Sequence, residues 1–474
     1  MKAYDLIAIG TGSAMNVVEA ILQNEPGKKV AVIDKDEPGG ICLTRGCIPT
    51  KILVYPAEVL RIVEGAKAVG VDAHVKRVDF MGLMKRMRVV LERDIGGIRK
   101  GLTEAKNIDY YHAVAEFTAP YQLQVGDERI TSKMIFLCLG SKPLIPPLKG
   151  LDQVSYHTSD SILGIQKLPS SLAILGGGYI AAEYGHFFSA MGSKVTIVGR
   201  NPRFLPAEEP EVSELAEKEM SKHLTLMTNH EVIEVERAGK GKKTIIARDR
   251  STGRTKEITS EEILVAVGRA SNADILHPER GGVKTDEKGW ILANQYLETS
   301  QRNVWAFGDA IGKHLFKHVA NYESRIVYYN AVLGQRVKMN YQAVPHAVFT
   351  HPEIASVGLR QKEAIEAHGE EGILVGFQRY QNTAKGEAMG VKDYFVKVIV
   401  ENGTNRVLGA HIIGPQASLL IQEIITVMYT ADQSMTPVIA GMHIHPALSE
   451  AVERAFIELM PPRQYNHMFK EGRL

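Results

Sequence analysis

The chain has 474 residues, too many for one core and enough for about three domains. Hydrophobic residues make up 45% and charged residues 23%, a globular balance that excludes a disordered or fibrous protein. A formal net charge of +2 at pH 7, with no basic block, argues against nucleic acid or an anionic membrane as partner. No apolar run reaches the roughly 18 residues of a membrane span. "MKAYDLIAIG" runs straight into a strand pattern, so a cytoplasmic protein is expected. Three cysteines cannot build a secreted disulfide framework, and in a reducing compartment a close pair points to redox or metal chemistry.

"YDLIAIG" reads as a buried strand, followed by a tight turn, a helix to about Gln23 and a second strand, "KKVAVID", ending at Asp34. This is a βαβ unit. Gly10, Gly12 and position 15 follow the G-x-G-x-x-G/A pattern, in which glycines let a dinucleotide diphosphate approach a helix N-terminus. Met15 replaces the third small residue and is expected to widen the helix–strand contact. Asp34, at the strand end, is placed to accept a ribose hydroxyl. The next segment, "GGICLTRGCIPTK", holds Cys42 and Cys47. In one regular helix their Cα atoms would stand roughly 8 to 9 Å apart, beyond the ~7 Å limit for a disulfide. Pro49 clashes with the carbonyl of Arg45 in such a helix, so a break is expected that folds Cys42 back toward Cys47. A thiol at a helix start lies in the positive end of the dipole and favours thiolate.

A proline-rich crossing at 143–150 marks a boundary. The βαβ syntax returns at 171–200, where Gly176, Gly178 and Ala181 all meet the small-residue requirement. Two dinucleotide units imply two dinucleotides, and a flavin beside a nicotinamide is the natural pair for moving a hydride. The strand "KVTIVGRNPR" ends in Gly199, Arg200 and, three residues on, Arg203, with no carboxylate to bind a ribose 2′-hydroxyl. NADP(H) is therefore expected over NAD(H), which stays possible because Gly185 is the small residue usual with NAD. "EILVAVGRAS" closes the second unit near Gly268, and "NVWAFGDA" opens another strand and turn, so the first domain resumes after an insertion. Asp309 in that turn reads equally as a flavin ribityl ligand or a helix N-cap. From about Pro345 a third unit begins, with a hairpin around Asn402 and Gly403.

In "HIHPALSE", His445 is followed five residues later by Glu450. A histidine held by a carboxylate can take a thiol proton near neutral pH. The cysteine pair has three readings: zinc ligands together with the 443–445 histidines, two inert buried thiols, or a redox couple. The spacing is long for a zinc knuckle, and the redox couple fits the two dinucleotide turns.

"GGICLTRGCIPTK", both glycine turns, "LVAVGRASN", "AFGDA", "FTHPEIASVG" and "HIHPALSEAVERA" occur in the order of the flavoprotein pyridine-nucleotide disulfide oxidoreductases, which the chain resembles along nearly its whole length. The resemblance implies an α/β fold with two Rossmann-like dinucleotide-binding domains, for FAD and NAD(P), and a C-terminal α+β dimerisation domain. The implied divisions are 1–149 (FAD), 150–269 (NAD(P)), 270–343 (central) and 344–474 (interface). It implies Cys47 against the flavin, Cys42 exchanging with substrate, and Lys51 paired with Glu183 near the flavin's reactive nitrogen. Gly10, Gly12, Asp34, Gly40, Lys51, Gly140, Asp309 and His318 are the implied FAD residues. Gly176, Gly178, Tyr179, Ala181, Arg200, Arg203 and Gly268 are those for NAD(P), with Tyr179 covering the nicotinamide pocket. His445 and Glu450 form the implied base, reaching the cysteines of the other subunit of an obligate homodimer. No metal site is implied.

The implied reaction moves electrons between NAD(P)H and a disulfide through a thiolate–flavin interaction at Cys47. The substrate is a lipoyl group, with a 2-oxoacid dehydrogenase complex as partner, or a low-molecular-weight disulfide such as mycothione. The departures are Met15, Asp34 where glutamate is usual, and Leu139 and Phe307 where threonine is common. Two other readings stand: an oxidase or metal reductase that uses the flavin directly, and a non-catalytic subunit of a larger complex.

Overall fold

The computed structural model describes residues 1–474. Its first sheet has five parallel strands in the order Val304–Ala306, Ile135–Leu137, Leu6–Ile9, Val30–Asp34 and Ile108–His112. Alternate residues serve opposite faces, as the pleat dictates. Ile7, Ile9, Ala31 and Ile33 pack toward a four-stranded sheet that includes Ala115–Ala119 and Gln122–Val125. Leu6, Ala8, Val30 and Val32 pack toward the helices Ala14–Asn24 and Lys317–Val327. With both faces covered, the central strands are apolar except for Asp34 at the carboxyl end of Val30–Asp34.

The opening strand is not continuous. Asp5 divides it, because its carboxylate and amide both bond the backbone of Lys29. Lys2–Tyr4 therefore joins the four-stranded sheet, parallel to Glu128–Ser132, while Leu6–Ile9 enters the main one. At the helix start Ala14 is the fully buried small residue, and Met15 packs on the flank of the same cluster.

The chain leaves this layer through Ser141–Pro143 and returns through Arg269–Ser271, and the two crossings pair antiparallel. Between them lies a second parallel sheet in the order His157–Thr158, Glu262–Val265, Ser171–Leu175, Lys194–Val198 and Thr225–Met227. The helix Tyr179–Met191 lies so close on it that a Cβ at Gly185 would stand 2.7 Å from Ile197. A three-stranded antiparallel sheet, His230–Arg237, Lys243–Asp249 and Thr255–Ser260, covers the other side.

The C-terminal sheet has six antiparallel strands, with the expected hairpin formed by Phe395–Glu401 and Val407–Ile413 at its centre. The helix Cys47–Gly65 packs along Tyr179–Met191. Leu53 and Ala57 from the first join Phe187 and Phe188 from the second in the largest apolar cluster. That contact joins the layer bearing the cysteines to the second dinucleotide unit. No helix is long and apolar enough to cross a membrane.

Candidate active site

The cysteine segment is a short helix, Gly40–Thr44, a break at Arg45–Gly46, and a long helix that begins at Cys47. The break falls where Pro49 would clash, while Pro49 itself sits in the first turn of the second helix, where no N–H is required. Gly46 makes the fold-back tight, since a Cβ there would lie 2.9 Å from the Ile41 carbonyl oxygen and 3.2 Å from the Cys42 Cα. Arg45 pins the bend through ion pairs to Asp36 at 2.6 Å and Asp160 at 3.0 Å.

A hydrogen bond from the Cys42 thiol brings Cys47 down to about 7. Burial opposes this shift, and the Lys51 ammonium assists it. The same bond, together with burial, pushes Cys42 up, and Lys317 is the charge that acts the other way. Cys47 is thus the sulfur of the pair that ionises first, while Cys42 keeps its proton and donates it.

One turn beyond Cys47, Lys51 Nζ lies 2.8 and 2.7 Å from the two carboxylate oxygens of Glu183, which is itself one turn beyond Tyr179. The amide of Phe349 also donates to Glu183, at 3.1 Å, and its ring lies 4.5 Å from the ammonium. Tyr179 stands against Phe316, ring centroids 6.1 Å apart, and burial raises its hydroxyl to about 12.

These groups open into a cavity of 1140 Å³ that also touches Gly10, Gly12, Asp34, Gly40, Gly140, Asp309 and His318. Its glycines are where a side chain has no room. A Cβ at Gly10 would stand 2.1 Å from the Cys138 carbonyl oxygen, and one at Gly40 would stand 2.6 Å from the Gly12 Cα. Two helix N-termini meet beside this cradle, at Ser13 and at Lys317, whose Nζ donates to Ser13 Oγ at 2.9 Å. Burial lowers the pKa of Lys317, and it forms no ion pair with a carboxylate. An uncompensated ammonium between two helix dipoles suits an anionic diphosphate. These residues therefore fit FAD.

Asp34 is less free than expected. Its carboxylate already accepts the Thr11 amide at 2.8 Å, the Thr11 hydroxyl at 2.5 Å and the Asp36 amide at 3.1 Å. Two of these bonds end on Oδ2 and one on Oδ1, so Oδ1 keeps an acceptor site for a ribose hydroxyl. Asp309 is not an N-cap, since Phe307 occupies that position. Its carboxylate accepts from Ser141 Oγ at 2.6 Å and faces Arg269 at 3.9 Å, while burial raises its pKa. His318 bonds the Pro345 carbonyl at 2.8 Å and stacks on Phe316.

Sequence reasoning missed Lys317, Arg269 and Glu323. Glu323 is fully buried under the Asp309 turn, accepting from the Gly308 amide at 2.5 Å and the Tyr341 hydroxyl at 2.7 Å, and burial lifts it to about 7. A carboxylate on the buried face of the helix Lys317–Val327 was the available signal.

In the second unit a Cβ at Gly176 would stand 2.2 Å from the Ala266 carbonyl oxygen, Gly178 precedes the helix, and Ala181 is fully buried. A narrow cleft there touches Gly177, Gly199 and Arg203, and Arg200 is exposed beside it. Gly268 lies at the crossing, where its carbonyl accepts the Leu144 amide at 3.0 Å.

His445 and Glu450 meet at 3.0 Å, and the hydrogen bond from His445 holds the Glu450 carboxyl below its usual range. His443 is engaged with Glu423 and Glu453, so the two histidines are not presented together to the cysteines. Within one chain His445 is 68% exposed and outside the cavity, flanked by the exposed Met442 and Ile444.

Comparison with known proteins fits this arrangement. Residues 4–348 match the pyridine nucleotide-disulphide oxidoreductase family and residues 344–456 its dimerisation domain. Mycothione reductase of Mycobacterium tuberculosis is 37% identical over 470 residues, covering 97% of this chain and 100% of that protein. Dihydrolipoyl dehydrogenase of Thermus scotoductus is 32% identical, covering 96% and 97%. Mercuric reductase of Staphylococcus aureus is 33% identical, covering 88% and 76%. Among solved structures, the Cu(II) complex of the HOCl-induced flavoprotein disulfide reductase RclA from Escherichia coli superposes with a TM-score of 0.84 at 26% identity, covering 96% and 99%. The expected α/β architecture is the one observed, and such agreement in sequence and fold over nearly the full length means that the chain belongs to the pyridine nucleotide-disulphide oxidoreductase family.

Proposed function

We propose that the chain is a homodimeric, FAD-dependent reductase that uses NADPH to reduce a low-molecular-weight disulfide of the mycothione type. The observation that carries this reading is the fold-back at Gly46 that sets Cys42 against the helix start at Cys47, one turn from the Lys51–Glu183 pair. Gly10, Gly12, Gly40, Ser13 and Lys317 would hold the FAD diphosphate and Asp309 the ribityl chain, with the domain divisions at 149, 269 and 343. Bound there, FAD would supply two-electron transfer between the nicotinamide and the Cys42–Cys47 disulfide.

Cleavage of that bond leaves charge on Cys47, stabilised by the Cys42 thiol and the Lys51 ammonium. His445 of the second subunit, its tautomer fixed by Glu450, removes the Cys42 proton. Cys42 attacks the substrate disulfide, one thiolate leaves, and the imidazolium protonates it. Cys47 then attacks the Cys42 sulfur of the mixed disulfide, which restores the internal bond and releases the second thiolate, protonated by the proton taken up from solvent. The sum is NADPH, a proton and a disulfide giving NADP⁺ and two thiols.

The substrate class follows the 37% identity to mycothione reductase, and NADPH follows Gly199, Arg200 and Arg203 at the strand end. Lipoamide is the second reading, favoured by the "HIHPALSE" segment and by the 32% identical dihydrolipoyl dehydrogenase. Purified holoenzyme assayed with NADPH against mycothione, lipoamide, glutathione disulfide and Hg(II) separates the readings. The highest kcat/KM is expected for mycothione. Preference for lipoamide or Hg(II) overturns the substrate, and turnover of no disulfide overturns the function.

A further inference from the structure

The proposed NADPH preference rests on Arg200 and Arg203, both in the loop that follows the strand Lys194–Val198. The structure brings a third guanidinium to the same place from a distant part of the chain. Arg250 lies in the turn between Lys243–Asp249 and Thr255–Ser260, and its Nη1 donates to the Arg200 carbonyl at 2.9 Å.

This juxtaposition is built rather than incidental. The Arg250 amide bonds the Asn229 carbonyl at 2.9 Å, and Asn229 Nδ2 bonds Ser251 Oγ at 2.6 Å. Asn229 in turn donates its amide to the Asn201 carbonyl at 2.7 Å, and His230 donates to Gly199 at 3.0 Å. Three segments, 199–201, 229–230 and 250–251, are thus stitched together at the carboxyl end of the strand. Gly199 there faces Gly177 of the glycine turn, where a Cβ would meet the Gly177 Cα at 3.4 Å. In doubly wound sheets the adenosine ribose lies at this position.

The charge at this spot is not neutralised from within. Neither Arg200 nor Arg250 has a carboxylate in ion-pair range, and Arg203 has one contact, to Glu214 at 3.8 Å. The nearby acids are engaged elsewhere: Glu231 pairs with Arg248 at 3.1 Å, and Asp249 accepts the Ser251 and Thr252 amides. Arg200 and Arg250, without counter-ions and joined through the Arg200 carbonyl, offer guanidinium groups suited to a phosphate dianion.

We infer that Arg250 is a specificity-determining residue that closes a clamp, opposite Arg200, on the 2′-phosphate of the nicotinamide nucleotide. The inference deepens the NADPH reading and rests on it.

The test compares wild type, Arg250→Met and Arg250→Lys as holoenzyme. Calorimetry gives Kd for 2′,5′-ADP and 5′-AMP at low and high salt, and kinetics give kcat/KM for NADPH and NADH. Arg250→Met is expected to weaken 2′,5′-ADP roughly 10- to 100-fold, the range of a charge-assisted contact. The ligands without the 2′-phosphate should change less than twofold, and the salt dependence of 2′,5′-ADP binding should flatten. Arg250→Lys should recover part of the loss. Equal weakening of both ligand classes would make Arg250 a mere prop for the Arg200 backbone and overturn the clamp. An unchanged Arg250→Met would also overturn it and leave the NADPH reading standing. Wild type that binds 5′-AMP as tightly as 2′,5′-ADP would instead remove the NADPH reading, and the clamp with it.

Discussion

Replacing Lys51 by methionine tests the electrostatics of the redox pair. Lys51 contacts both oxygens of Glu183, whose side chain is 7% exposed and keeps one other donor, the Phe349 amide. Lys51 itself is 35% exposed, so the loss is less than that of a fully buried pair and should cost about 1 to 3 kcal/mol of stability. The larger effect is on Cys47. Its thiol sits at about 7, and as an acid with a lowered pKa it is thiolate above that pH and thiol below it. The variant loses the ammonium and keeps the opposing Glu183 charge, while the hydrogen bond from Cys42 remains. A shift of about one unit upward is expected, the lower end of what a close opposite charge supplies. At pH 7 the thiolate fraction then falls from about one half to about one tenth. The assay is anaerobic reduction of holoenzyme by two electrons, following the long-wavelength thiolate–flavin absorbance from pH 5 to 10. A midpoint near 7 in wild type and near 8 in Lys51→Met is expected. A midpoint unmoved by the substitution would refute the assignment of Lys51 as the counter-charge of Cys47.

Cys42→Ser should abolish disulfide turnover yet keep the coloured thiolate at Cys47, whereas Cys47→Ser should lose the colour; full turnover in both removes the pair from the mechanism. His445→Gln should slow the disulfide half-reaction by about 10² to 10⁴ and spare flavin reduction. Mixed dimers of His445→Gln and Cys42→Ser subunits should regain activity, and equal slowing of both half-reactions contradicts the role of base. Gly199→Glu has room for a side chain, since its Cβ would make ordinary contact with Gly177 at 3.4 Å. Combined with Arg200→Ala it should turn the kcat/KM preference toward NADH, and a retained NADPH preference counts against this strand end as the selector.

Both βαβ units were legible because their signals are local. Buried parallel strands are apolar throughout, and the turns at Gly10 and Gly176 leave no room for a Cβ. The kink between Cys42 and Cys47 was legible for the same reason, through Pro49 and a helix too long for a disulfide. The contact between Lys51 and Glu183 spans 132 residues and depends on how two helices pack, so only family resemblance could join them. Asp5 split the first strand because of a side-chain bond to Lys29, which no apolar pattern records. Lys317, Arg269 and Arg250 stayed hidden because each arrives from a distant element and looks like an ordinary surface charge. The bonds from Thr11 to Asp34 were not legible, because they require the turn to fold first.

The most direct test of a working Cys42–Cys47 couple is an electron count. Holoenzyme is titrated anaerobically with dithionite while flavin absorbance and free thiols are followed together. Wild type should consume two two-electron equivalents per subunit before the flavin is fully bleached, the first of them exposing two thiols, and Cys47→Ser should consume one. A wild-type enzyme that bleaches with a single equivalent and exposes no thiol would contradict the account.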